Sequence, residues 1–263
     1  MQRGDDSSLA RDFPEVLRKI RERTPARILS GRAGAAYRTA TQIELREAHA
    51  AARDAVRAEL DLESTFGVEF IKKWDLFEVR TEARSKEEFL LQPDSGRHLN
   101  ETSRQEVSRR CSNDRDIQIV IGDGLSVTAV AAQVPSLLPL LCNGALARWW
   151  HVGEPFVVRH CRVGVLNEIG ELLAPKVAVL LIGERPGLAT AESLSAYMAY
   201  RPSKAHTDAN RNLISNIHGR GLNPQAAGDR ILNLASQMMT DQTSGFQLRE
   251  QLPAVHPPPT VRE

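Results

Sequence analysis

The chain has 263 residues, enough for one large domain or two small ones, and its 34 Lys plus Arg against 33 Asp plus Glu leave a formal charge of only +1. That balance carries no signal for a polyanionic partner, so nucleic acid is not expected. No apolar run approaches the roughly 20 residues of a membrane span, and the polar start MQRGDDSSLARDFPEV has no signal-peptide core.

Helical spacing opens the chain. PEVLRKIRERT and ATQIELREAHAAARDAVRAELDL repeat apolar residues every three to four positions, and between them Gly31 and Gly34 frame an arginine-bearing loop. That loop can either receive an anion on its amides or simply turn the chain. Trp74 to Asn100 reads as short extended pieces with a turn from Pro93 to Gly96. Residues 1–114 are therefore expected to form a mainly helical amino-terminal region.

The pattern changes near residue 115. DIQIVIGD, PFVVRHCRV and KVAVLLIG read as strands, and AYMAYRP as a fourth short one. Between them lie a helical stretch after Ser126, broken by proline, and the short helix LNEIGELL, while Pro224 opens a closing helix. The reading is an α/β fold, a Rossmann-like and mostly parallel sheet over residues 115–250, covered on both faces, followed by a proline-rich tail at 251–263.

In such sheets ligands gather beyond the carboxyl ends of the strands. Three of those ends carry unusual text: GDGLS at 122–126, RHCRVG at 159–164 and GERPG at 183–187. GDGLS can mimic a phosphate-binding turn or be a strand-to-helix turn with Ser126 as N-cap, but it lacks the full GxGxxG pattern. Arg159 and Arg162 can pair with a phosphate or with carboxylates. Glu184, directly after a buried strand, must be solvated or paired; it can serve as a base, as an acceptor for ligand amides or in an ion pair, with Arg185 pointing to the opposite side if alternation continues.

No catalytic set accompanies these residues. Ser193 and Ser195 do not fit GxSxG and are expected to cap a helix or line a turn. His206 and His218 flank a surface loop leading into a short helix or strand, and no metal-ligand spacing is present. Cys111, Cys142 and Cys161, odd in number and far apart, are expected to be buried hydrophobes.

Six ordered blocks together carry a resemblance: GRAG, DIQIVIGDGLS, PFVVRHCRVG, NEIGELL, LLIGERPGLATAESLSAYMAYRP and ISNIHGRG. From about Thr24 to about Met239 the chain resembles the small (light) subunit of ethanolamine ammonia-lyase. The resemblance implies a hetero-oligomer with a large TIM-barrel subunit, and adenosylcobalamin as the cofactor that converts ethanolamine to acetaldehyde and ammonia by radical chemistry. It implies cofactor contacts at Val163, Glu184 and Leu213, with no catalytic residue and no metal ligand on this chain. Arg162 is added as a candidate polar contact to the nucleotide tail. Val163 and Leu213 would act through their backbones, and at the latter position some relatives carry cysteine.

No DxHxxG sequence is present, so the cofactor is expected to keep its own benzimidazole ligand. A cytoplasmic location is expected, with a bacterial microcompartment as the alternative, although only about two dozen residues precede TPARI where some relatives have a longer extension. The rival readings are a stand-alone corrinoid- or nucleotide-binding module and a serine hydrolase using Ser193 or Ser195.

Overall fold

The computed structural model describes residues 15–22 and 30–251. The expectations for the start of the chain, for TPARI and for all but the first residue of the proline-rich tail concern residues outside that range.

Helix α1 (Glu15–Glu22) is followed by a small hairpin, β1 (Arg32–Ala33) and β2 (Ala36–Tyr37). Gly31 and Gly34 both take positive φ there, and of the two readings of this loop the structure gives the turn. Then come α2 (Thr39–Arg57), α3 (Leu62–Phe66), α4 (Val68–Trp74) and β3 (Glu78–Arg80). Where short extended pieces were expected after Trp74, the chain also forms a helix, α5 (Lys86–Leu91), and a 3-10 turn at Pro93–Arg97. The signal for α5 was in the text. Ser85 accepts the Glu88 amide and Glu88 accepts the Arg84 amide, a variant of the Ser-x-x-Glu start. Helix α6 (Glu101–Arg110), capped by Asn100, completes this half.

The remainder alternates β4 (Ile117–Gly122), α7 (Val127–Leu146), β5 (Phe156–Arg159), α8 (Val165–Leu173), β6 (Val177–Gly183), β7 (Leu194–Tyr200), β8 (Asn212–Ile217) and α9 (Pro224–Asp241). All six large strands form one sheet in the order β3-β5-β4-β6-β7-β8. The first four are parallel, while β7 and β8 run antiparallel to their neighbours. The sheet is therefore mixed, and its first edge strand comes from before residue 115. The loop after His206 leads into a strand, β8, at the other edge.

Strand alternation sorts the core into two layers. Ile117, Ile119, Ile121, Val179 and Leu181 face α7 and α9, whereas Val120, Val158, Ala178 and Leu180 face the side covered by α6 and α8. A strand buried on both faces has no polar alternation to show, which is why IQIVIG and VAVLLIG read as continuous apolar runs.

Helix α7 is not broken by proline. It runs through Pro135 and Pro139, and ten of its 20 residues are buried against the sheet and α9. Each internal proline costs roughly 3 kcal/mol in a helix, and burial on this scale offsets it. Among the described residues α7 is also the one helix long and apolar enough to cross a membrane by length and composition, and half of that stretch is buried inside the fold.

Candidate functional site

Strands β4, β5 and β6 are neighbours, and their carboxyl ends open onto one side of the sheet. The chain leaves β4 for β5 through α7 and returns from β5 to β6 through α8 on the opposite face, so the three loops diverge and leave a crevice. A cavity of about 240 Å³ lies there, lined by Gly124 and Leu125 after β4, Cys161, Arg162 and Val163 after β5, and Gly183, Glu184 and Arg185 after β6, with Ser195 and Tyr197 from β7. Three of the four residues singled out from sequence thus share one cavity: Arg162, Val163 and Glu184. Leu213 is not in its lining. It sits on the edge strand β8, paired with Tyr197, and is 46% exposed.

Asp123 builds the crevice. Its buried carboxylate accepts the backbone amides of His160 at 3.0 Å and Cys161 at 2.8 Å, tying the end of β4 to the end of β5. Lys86 reaches in from α5 to 3.8 Å from this carboxylate and donates to the Gly124 carbonyl at 3.2 Å. Burial still pushes the Asp123 carboxyl above its usual range against Lys86 and the two amides. The sequence reading did not single out Asp123 or Lys86. A buried Asp between two glycines at a strand end is the only local hint, and Lys86 is distant in sequence.

The GDGLS turn is a strand-to-helix turn with Ser126 as N-cap. The Asp123 amide donates to Val158 and the Leu125 amide to Gly183, so both are already used. Gly124 takes φ +57°, and a Cβ there would lie 2.4 Å from the Gly183 carbonyl oxygen, so glycine is required where β4 and β6 close together. Ser126 caps α7 by accepting the Ala129 amide, and its hydroxyl donates to the Ala191 carbonyl at 2.6 Å.

The two arginines of the second strand end have separated roles. Arg159 is committed to Glu59 at 3.0 Å and Glu78 at 3.6 Å. Arg162 turns into the crevice, with its guanidinium 4.2 Å from the Phe89 ring centre and one nitrogen donating to the Phe89 carbonyl. Its Nε is buried without a partner among the described residues. Burial, then Arg185 and Arg97, push this guanidinium below its usual range.

Glu184 is paired, as its position required. Its Oε1 accepts the Ser195 hydroxyl at 2.6 Å and the Asn216 amide at 3.0 Å. Both donors fall on one oxygen, which leaves Oε2 as the acceptor open to a ligand. Arg185 does not point away. The strand ends at Gly183, alternation stops with it, and both Glu184 and Arg185 line the cavity. Ser195 neither caps a helix nor lines a turn: it lies inside β7 and holds Glu184, while Ser193 directly precedes that strand with a buried hydroxyl that has no partner among the described residues. Neither serine has a histidine hydrogen-bond partner among the described residues, so a hydrolase site is not assembled.

Tyr197 completes the wall, its phenol raised above its usual range by burial and then by Glu184. Among the described residues no three His, Cys, Asp or Glu side chains come together to hold a metal ion. The three cysteines are buried and free.

The comparisons agree with one another. The ethanolamine ammonia-lyase light chain family matches residues 14–249. The chain is 39% identical over 235 residues to a protein of Clostridium acetobutylicum named ethanolamine ammonia-lyase small subunit, covering 89% of this chain and 95% of that one. A Clostridium perfringens protein of the same name is also 39% identical and one from Fusobacterium nucleatum 38%, each with 78% of its length covered. Over nearly all of its length, then, the chain belongs to the ethanolamine ammonia-lyase light chain family.

Proposed function

We propose that this chain is the small subunit of an adenosylcobalamin-dependent ethanolamine ammonia-lyase, and that the crevice at the ends of β4, β5 and β6 grips one edge of the cofactor. The observation that carries this reading is the meeting of Arg162, Val163 and Glu184 in one cavity on a chain of this family. The alternating crossovers of α7 and α8 support treating the sheet as a Rossmann-like, cobalamin-facing domain.

The residues present fit such a group. A corrinoid is rimmed by amide arms, and the crevice offers an open carboxylate oxygen at Glu184, the unpartnered Nε of Arg162 and the phenol of Tyr197. At 240 Å³ it is smaller than the roughly 300–1,000 Å³ of pockets that enclose a drug-sized ligand. It therefore takes an edge and leaves the rest of the cofactor, and the substrate, to the large partner subunit. Leu213, on an edge strand whose outer backbone groups face away from β7, contributes main-chain groups to the same boundary.

Bound adenosylcobalamin would supply the radical chemistry through its cobalt–carbon bond. This chain's own work is to hold and shield: Ser195 and the Asn216 amide fix Glu184, and Glu184 accepts from the cofactor's amides. The amino-terminal half, with its exposed α2, contacts the large subunit. A cytoplasmic setting, free or in a bacterial microcompartment, goes with this reading.

The test is acetaldehyde release from ethanolamine, with and without adenosylcobalamin, by this chain alone and co-expressed with its large subunit. Activity requiring both chains and the cofactor is expected. Corrinoid binding or turnover by this chain alone would favour a stand-alone module instead.

A further inference from the structure

A second cavity, of about 520 Å³, opens on the far side of Gly164 between the first turn of α8 and the segment from Lys204 to Arg211. Its lining carries more cations than carboxylates. Arg97, Lys204 and Arg211 face it together with His98 and His206, against the carboxylates of Glu168 and Asp208. Glu168 is already committed, since it accepts the Leu99 amide and pairs with Arg104. Asp208 pairs with Arg211. Among the described residues Arg97 pairs with Asp94, an exposed partner at 3.2 Å, and such pairs contribute little.

Two polar atoms in this wall are buried with no hydrogen-bond partner among the described residues: Nε of Arg211 and Nδ1 of His206. The Arg211 side chain is only 4% exposed. A guanidinium that deep normally has its donors satisfied, so an orphaned one at a cavity wall indicates a missing acceptor. Asn167 holds the wall in shape, donating to the His206 carbonyl and accepting from Arg211, each at 2.7 Å.

The cations also crowd one another. Burial pushes the Arg211 guanidinium below its usual range, and Arg97 adds to this, just as Arg97 and Arg185 do for Arg162. Arg97 therefore stands between Arg162 in the first cavity and Arg211 in the second. Its stem lies across Gly164, where a Cβ would come within 2.9 Å of it. Like charges gathered around an empty volume are stabilised by an anion placed among them.

We propose that this cavity binds a phosphate group, with Arg97, Lys204 and Arg211 as its cationic donors. The group can be the phosphodiester of the nucleotide tail of a corrinoid held in the neighbouring crevice, a source that rests on the functional reading above, or a free phosphate.

The experiment uses the complex of this chain with its large subunit, as wild type and with the exposed cations replaced in Arg97→Gln and Lys204→Gln. Inorganic phosphate binding is followed by phosphorus NMR, and cobalamin and cobinamide, which lacks the nucleotide tail, by absorbance titration. Loss of about tenfold in cobalamin affinity with cobinamide unchanged supports the tail as occupant, because removing one charged hydrogen bond costs about that much. Saturable phosphate binding, weakened about tenfold in the variants, supports the free anion. If the wild type binds phosphate but no corrinoid, the anion site stands and the functional reading falls. If phosphate does not bind and the variants lower cobalamin and cobinamide affinity equally or not at all, the proposal is overturned.

Discussion

Helices α2 and α7 are nearly equal in length, 19 and 20 residues, yet α7 buries ten side chains and α2 only Thr41 and Ala55. The tolerance of two internal prolines in α7 shows how strongly tertiary burial holds it. Helix α2 has good helical text and little to rest on. Its Ile43 is 60% exposed, and its later turns lie beside the mouth of the crevice, where His49, Arg53 and Val56 share a cavity with Arg162 and Arg185. The difference teaches that burial within the chain accounts for α7 and not for α2, which a second chain would cover in the proposed assembly.

The largest effect should come from the buried helix. Leu138→Ala removes a fully buried side chain and should destabilise the isolated chain by about 2–5 kcal/mol, read from chemical denaturation. A loss under about 1 kcal/mol would mean that α7 is not the support its burial indicates.

Next comes the crevice beside α2. Glu184→Ala should weaken holoenzyme formation by about tenfold while leaving the chemical step nearly unchanged, since it removes one charged acceptor from the cofactor boundary. Unchanged cofactor affinity with collapsed turnover would contradict the holding role. Ser195→Ala, which leaves Glu184 the Asn216 amide, should cost less, with Ser195→Thr restoring affinity.

Beyond the end of α2, Glu59 supplies a pH-dependent tether. Burial alone would raise its carboxyl, but Arg159 and His160 draw it below its usual range. A lowered carboxylate contributes stability at neutral pH that is lost as pH falls from the ordinary glutamate range through its own lowered value, so melting temperature should drop there and the drop should shrink in Glu59→Gln. An identical pH profile in that variant would remove the tether.

The smallest effect sharpens the comparison. Ile43→Ala should change the stability of the isolated chain by no more than about 0.5 kcal/mol, while Ile43→Glu should weaken assembly with the large subunit. A large loss of stability in the isolated chain would show that α2 is internally supported after all.

Much of this site was legible as text. Val163 rests on the family resemblance alone, but polar text after apolar runs marked the ends of β4, β5 and β6, and from it Arg162 and Glu184 follow. Asp123 and Lys86 did not, because a buried ion pair between residues far apart has no periodicity. Nor did the partnership of Ser195 with Glu184: antiparallel pairing of β6 with β7 makes it, and strand pairing is not a local property.

By itself the sequence determined the alternation of strands and helices, the cap at Ser126, the start of α9 at Pro224, and the family, because these rest on local spacing and ordered motifs. Tertiary structure alone decided that β3 joins the sheet from before residue 115, that α7 runs through its prolines, and that Arg159 is held by carboxylates while Arg162 is left to the crevice. Those outcomes depend on burial and on charges brought together across the sheet, which no single segment encodes.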